Sequence, residues 1–348
     1  MGNKYYINIK MKENNNAGSK AVNDCNNILK QCGIEPYTLN IKGEGLLGKI
    51  NKVFEFEKLK KIPENSVLFI QHPIYINKNY YIDVLKNTKK KKNLKLVFLI
   101  NDLDSLRKMF PESQHIFEHI DETMYEIADY VIAHNSKMKR YLIEHGVEES
   151  KIYELGIFDY LTNINPNNKS IRYSKTLNIA GNLDANKSNY IRELNGVDKT
   201  INFNLYGLNF DKNVLTSEAI HYKGAFPSDE IPLQLTEGFG LVWDGNTASC
   251  CAGNTGEYLK YNNPHKLSLY MVSGLPVVIW SQAAEAEFVK CNNVGLVVDS
   301  IEDFSIKFDN LSENDYYKMV ENAKNVSCKL RNGEYLKKVI QDIIKDLK

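Results

Sequence analysis

The stretch 238–280, GFGLVWDGNTASCCAGNTGEYLKYNNPHKLSLYMVSGLPVVIW, reads as an apolar strand, a polar loop, a helix, a tight turn and a second apolar strand. Strand, helix and strand in that order form the unit from which parallel sheets flanked by helices are built. The loop gathers Asp244, Asn246, Lys260, Asn262, Asn263, His265 and Lys266 ahead of the helix, and Ser273-Gly274-Leu275-Pro276 closes the unit. Helix N-termini leave backbone N–H groups free to hold anions, and a nearby ammonium can neutralise one. Such a loop suits a ligand carrying phosphate and hydroxyl groups, a nucleotide sugar first among them.

Outward from this stretch the same alternation fills the chain. In the first half YYINIK, SVLFIQ, LKLVFLIN, YVIAHN and KIYELGIFDYL are strand candidates. Helical patterns run through SKAVNDCNNILKQCG, with a stop at Gly33, through 118–128, and through 136–145, with a stop at Gly146. The Asn-rich segment 163–173, NINPNNKSIRY, breaks the pattern and reads as a linker. Beyond it TLNIAG, INFNLYG, IHYKGAF, GFGLVWDG, LPVVIW and VGLVVD restart the strands, and two helical stretches near 313–330 and 333–347 end the chain. The expected fold class is α/β with two Rossmann-like domains, 1–165 and 166–330, and a cleft between them. A terminal helix in 331–348 could pack back on the first domain.

Length agrees with two domains, since 348 residues exceed one ordinary core. A net charge of +1 argues against nucleic acid as a partner, because such binders carry a basic excess. The lysine run 89–92 reads as a solvated turn rather than a binding patch. Six cysteines without a CxxC pair point to free thiols in a reducing cytosol, with no metal site and no disulfide framework. The opening residues alternate like a strand and do not form a signal peptide, and no apolar run reaches membrane-spanning length. A cytoplasmic protein without stable membrane insertion is expected.

In open parallel sheets ligands bind outside the carboxyl ends of strands, so residues just after strands are the site candidates. In the first half these are Gly18 and Ser19 in the polar segment 14–20, His72 after SVLFIQ, Asp102 after LKLVFLI, His134-Asn135 and Asp159. A carboxylate or imidazole there could act as a general base. Taken singly, each reads first as a cap or turn former; their joint placement is what raises the functional reading. In the second half Asn182, Lys187, Tyr206 and Asp244 follow strands, and Lys187, Lys260 and Lys266 together could neutralise a diphosphate. Any one of them alone is an ordinary surface lysine. Glu285 and Glu287 read as partners in surface salt bridges.

At these residues the sequence resembles a bacterial family of GT-B glycosyltransferases. That family includes glucosyltransferases that extend O-linked GlcNAc on serine-rich-repeat adhesins, and the related β-1,6-galactofuranosyltransferases. The resemblance runs nearly end to end, through GSKA (18–21), LINDLDSLR (99–107), VIAHNSKM (131–138), IFDYL (157–161), AGNLDANKS (180–188), NLYG (204–207) and GFGLVWDG (238–245). Its most specific part is GEYLKYNNPHKLSLYMVSGLPVVIW (256–280).

The resemblance implies a GT-B fold, a UDP-sugar donor held by the second domain and a glycan or glycoprotein acceptor entering from the first. It implies no cofactor and no catalytic metal, and a homo-oligomer is a further possibility. The donor site it points to comprises Gly18, Ser19, Asn182, Lys187, Tyr206, Asp244, Lys260, Asn263, Lys266 and Gly274. Two positions depart from the pattern. Leu269 stands where many retaining GT-B enzymes place a ribose-binding glutamate, and Asn101-Asp102 stands where the family commonly shows His-Asp. The β linkages made by the relatives imply inversion, which needs a base. Asp102 is the first candidate and His72 the second, with Lys187, Lys260 and Lys266 stabilising the departing diphosphate. Two alternatives remain at this level: a nucleotide-sugar epimerase of the same shape, and a non-catalytic nucleotide-sugar-binding subunit.

Overall fold

The structure, a computed structural model, describes residues 2–10, 17–42, 45–75, 80–211 and 217–347, with the side chains at 17–19, 45 and 186 outside the description. The chain divides into two compact units. Unit 1 comprises Met1–Asn14, Val22–Leu155 and Leu336–Lys348, and unit 2 comprises Asn15–Ala21 and Gly156–Tyr335.

The elements of the first half are β1 (Lys4–Lys10), α1 (Ala17–Gln31), β2 (Glu35–Asn40), α2 (Gly45–Glu57), β3 (Val67–His72), α3 (Tyr80–Lys92), β4 (Lys95–Ile100), α4 (Asp104–Arg107), α5 (Gln114–Ile127), β5 (Tyr130–Ala133), α6 (Ser136–Glu144) and β6 (Ile152–Glu154). The six strands are parallel, in the order β2-β1-β3-β4-β5-β6. Every residue of β3 is buried, and so is all of β4 after Lys95, as expected for central strands covered on both faces. Leu68, Ile70, Phe98 and Ile100 meet Tyr81, Leu85, Ile120 and Met124 in one core. Because His72 pairs with Ile100, residues 72–73 and 101–102 leave the sheet at the same edge.

The sequence predicts one long strand over 151–161. The strand stops at Glu154, because Gly156 takes the left-handed backbone (φ 86°) and turns the chain out of the sheet. The helix α5 starts at Gln114, earlier than the periodicity suggests, since a 3₁₀ turn over Pro111–Ser113 leads into it.

The second half contains β7 (Arg172–Asn182), α7 (Ala185–Ser188), β8 (Asn202–Leu208), β9 (Ile220–Gly224), α8 (Ile231–Gln234), β10 (Glu237–Val242), α9 (Asn254–Tyr258), α10 (His265–Val272), β11 (Val277–Trp280), α11 (Ala286–Cys291), β12 (Gly295–Val298), α12 (Asp303–Asp309), α13 (Glu313–Arg331) and α14 (Glu334–Asp346). Its strands are again all parallel, ordered β12-β11-β10-β7-β8-β9. The 163–173 stretch holds a single 3₁₀ turn, Pro166–Asn168, before β7. The last residues, Leu336–Lys348, cluster with unit 1, where the Tyr153 hydroxyl donates to the Asp346 carboxylate. Among the described residues no helix is long and apolar enough to cross a membrane.

Candidate active site

The quoted stretch forms the expected strand, loop, helix and strand. Two residues seat its helix. Gly240 on β10 leaves room for the Tyr270 ring, which a Cβ there would meet at 2.1 Å. The buried Tyr270 hydroxyl accepts the Ala180 N–H at 2.9 Å and donates to the Asn178 carbonyl at 2.9 Å. This clamp ties α10 to β7 and aims its N-terminus at the carboxyl ends of β7 and β10. Sequence reading passed over both residues, although a glycine inside an apolar strand is a signal of close approach.

At that rim Lys266, in the first turn of α10, donates from Nζ to Asp244 Oδ1 at 2.8 Å and to the Trp243 carbonyl at 2.7 Å. The backbone carries Lys187 to the same place: Gly245 N–H donates to the Lys187 carbonyl at 3.1 Å, and Tyr190 N–H to the Gly245 carbonyl at 3.2 Å. Gly245 has φ 103° and lies so close to Ala252 that no side chain fits. Asn182 joins through its carbonyl, which accepts the Ser188 hydroxyl at 3.1 Å, while its Oδ1 accepts from Asp184 N and Asn209 Nδ2. Asn182, Lys187, Asp244 and Lys266 therefore share one edge of unit 2.

The remaining candidates sit elsewhere in the unit. Lys260 pairs with Glu257 at 2.6 Å and lies 5.4 Å above the Trp280 ring. Asn263 is buried and donates to the Gly156 carbonyl at 3.0 Å. Tyr206 is a buried strand residue whose pKa burial pushes up to about 12, with its hydroxyl 3.4 Å from the Gln234 carbonyl. Gly274 lies at the opposite end of α10, at φ 69°, where added bulk would meet Pro166 and Lys324. A helix C-terminus carries negative partial charge, so Gly274 terminates α10 and contributes nothing to anion binding. Gly18 and Ser19 fall in the first turn of α1 rather than in a loop; their side chains, and residue 14, lie outside the described residues.

His265, the first residue of α10, stacks on Tyr160 with 5.1 Å between ring centroids. Burial lowers its pKa to about 4, the Lys20 charge adds to that, and a bond to the Asp159 backbone opposes it. The ring is neutral at pH 7. Leu269 is buried in α10, so an apolar side chain packs where other GT-B proteins place a glutamate.

In unit 1 the aligned ends of β3 and β4 place Asp102 beside Arg107, with Nη1 to Oδ2 at 2.7 Å, and Tyr75 OH is 3.4 Å from the same oxygen. Arg107 Nη1 also lies 3.8 Å from the buried Asp104. The Asp104 carboxyl is pushed up to about 6, mainly by burial and next by the Asp102 charge, with Arg107 opposing.

His72 is fully enclosed. Its Nε2 meets Asp121 Oδ1 at 2.7 Å, and its Nδ1 faces the Tyr81 hydroxyl at 3.4 Å. With both ring nitrogens engaged inside the core, His72 supports the strand end and is not exposed to an acceptor hydroxyl. His134 is likewise buried against the Ile100 carbonyl at 2.9 Å, and Asn135 caps α6. Arg107, Tyr75 and Asp104 went unread, though the i, i+3 spacing of Asp104 and Arg107 was visible.

Residues 4–157 match the N-terminal domain of the glucosyltransferase 3-like family, and residues 177–343 match its C-terminal domain. The chain belongs to this family. It is 34% identical over 258 residues to the β-1,6-galactofuranosyltransferase WbbI of Escherichia coli (strain K12), covering 73% of this chain and 72% of that one. It is 28% identical over 257 residues to glucosyltransferase 3 of Streptococcus gordonii, with 73% and 72% covered. HepE from Anabaena, solved in complex with UDP and glucose, superposes with a TM-score of 0.62 at 11% identity, covering 98% of this chain and 99% of that one. The protein is thus a glycosyltransferase with the two Rossmann-like units of the GT-B fold.

Proposed function

We propose that this glycosyltransferase moves a hexose, glucose or galactose in pyranose or furanose form, from a UDP-sugar to a hydroxyl of a glycan, borne by a GlcNAc-carrying glycoprotein or a cell-surface polysaccharide. The observation that carries the donor is the rim of unit 2. There the N-terminus of α10, the Lys266 ammonium and the Lys187 loop come together at one edge, where a diphosphate would lie. Two of the three Lys266 N–H groups are engaged, leaving the third for a phosphate oxygen. WbbI and glucosyltransferase 3 bear the names of a galactofuranosyl and a glucosyl transferase, which supports a hexose.

For the chemistry we assign Asp102 as base. The acceptor oxygen attacks the anomeric carbon in line, its proton passes to the Asp102 carboxylate, and the carbon–oxygen bond to UDP breaks with inversion. Arg107 fixes the carboxylate in one orientation. The departing diphosphate takes its stabilisation from α10, Lys187 and Lys266, and no cofactor is assigned. Six free cysteines accord with action in the cytosol.

A donor screen with mass spectrometry of products tests this, using UDP-glucose, UDP-galactose, UDP-galactofuranose and UDP-GlcNAc against a GlcNAc-bearing peptide and a polysaccharide acceptor. Mass gain of one hexose is expected, lost in Asp102→Asn by a factor of about 10² to 10⁴ while UDP binding persists. A new UDP-sugar formed without acceptor would mark an epimerase instead. UDP binding with no product from any pair would mark a binding subunit.

A further inference from the structure

The helix α2, GLLGKINKVFEFE, wears its apolar side chains on the outside. Leu46, Leu47 and Phe54 are 75%, 79% and 69% exposed, and Ile50 and Val53 are exposed beside them. These five account for nearly half of the twelve exposed large apolar side chains among the described residues. Their spacing places all five on one face, while Gly48, Glu55 and Phe56 on the opposite face are buried in unit 1. The inner face therefore already holds the helix in the fold, and the outer one is a contiguous apolar patch with another use.

Charge indicates what covers it. Residues 42–61 contain six lysines and three glutamates, a net +3 in a chain whose total is +1. Glu55 and Glu57 are taken by Lys58 and Lys60 at 2.6 and 2.5 Å, and Glu57 also accepts from Tyr80. Lys49 is exposed and borders the apolar stripe with no ion pair among the described residues, while Lys52 is half-buried and turned toward the inner face.

We propose that α2 is a docking helix for an anionic lipid bilayer. It would lie in the interface with Leu46, Leu47, Ile50, Val53 and Phe54 at the acyl boundary and Lys49 among the lipid phosphates. At 13 residues the helix is about 20 Å long and lies along the surface rather than spanning it. A second copy is disfavoured by charge, because a symmetric contact across this face brings together two segments of net +3, with Glu55 and Glu57 already engaged. The inference goes beyond the transferase reading and does not depend on it.

Cosedimentation of the full chain with vesicles tests it, comparing phosphatidylcholine alone with phosphatidylcholine containing phosphatidylglycerol. Binding to the mixed vesicles, weakened by salt and absent with phosphatidylcholine alone, is expected. Leu47→Glu combined with Phe54→Glu should lower partitioning about 100-fold, since each loses the burial of one large apolar side chain. Lys49→Glu, a purely surface change, should lower it about 10-fold. Thermal melting of each variant at the wild-type temperature shows that the fold is kept. No binding by wild type, or binding by both variants equal to that of wild type, overturns the proposal. So does a wild-type dimer in light scattering that Leu47→Glu with Phe54→Glu splits while vesicles bind neither form, which would make this face an interface between copies. Hexose transfer to a soluble acceptor, measured in parallel, stands or falls separately.

Discussion

Lys266 and Asp244 form a largely buried ion pair at the carboxyl edge of the second sheet, with Nζ and Oδ1 2.8 Å apart and Nζ also bound to the Trp243 carbonyl. The lysine neutralises Asp244, and in the proposed donor site it would also offer its remaining N–H to a phosphate. Lys266→Met should cost about 2–4 kcal/mol of stability, because Asp244 is left buried without its counter-charge. The double change Lys266→Met with Asp244→Asn should recover most of that in urea unfolding. UDP affinity, read by calorimetry, should fall about 10–100-fold in both variants, as a charge-assisted bond to phosphate is lost. Recovery of affinity in the double variant would reduce Lys266 to a structural lysine.

Arg107 reaches Asp102 at 2.7 Å and Asp104 at 3.8 Å, so one guanidinium holds the proposed base in place. Arg107→Ala should lower kcat about 10–100-fold with KM for the donor little changed, the cost of misplacing a reacting group. Arg107→Lys should restore part of it. Steady-state kinetics at saturating acceptor separate this from a binding effect, which would raise KM alone.

The repeating order of strands and helices was legible because parallel sheets bury both faces of their strands, making VLFIQH and KLVFLI continuous apolar runs. The alternation of these runs with amphipathic helices then names the architecture. Strand ends likewise pointed to Asp102, Asp244 and Asn182. What remained hidden is pairing in space. Lys266 and Asp244 are 22 positions apart, and sequence shows neither that they meet nor that Lys260 prefers Glu257. His72 looked like a base for the same reason: its position at a strand end is readable, whereas its enclosure by Asp121 and Tyr81, 49 and 9 positions away, is not. Gly274 misled differently, since a glycine after a helix marks the end that repels anions.

The Tyr270 hydroxyl supplies another test of how α10 is held. Tyr270→Phe leaves the Ala180 N–H in a buried strand without an acceptor. A loss of about 1–3 kcal/mol is expected in urea unfolding with an unchanged m-value. A rise in donor KM should accompany it if the seating of α10 sets the phosphate geometry.

Asp104 gives unit 1 a pH dependence of defined sign. Its carboxyl is buried, and its pKa rises from the ordinary 3.8 to about 6 through burial and the charge of Asp102, with Asp121 adding to it and Arg107 and Tyr75 opposing. Between those values the native chain keeps a proton that the unfolded chain has released. Stability therefore falls as pH rises from 3.8 to about 6, and above 6 the full penalty of a buried carboxylate is present. Asp104→Asn removes the ionisation. The variant should match wild type near pH 4 and exceed it by about 1–3 kcal/mol at pH 7 to 8, the scale of a two-unit shift. Urea unfolding across this range checks it. A variant less stable than wild type at pH 7 would mean that the contact with Arg107 outweighs burial, and that Asp104 is held ionised as an anchor for the guanidinium that orients Asp102.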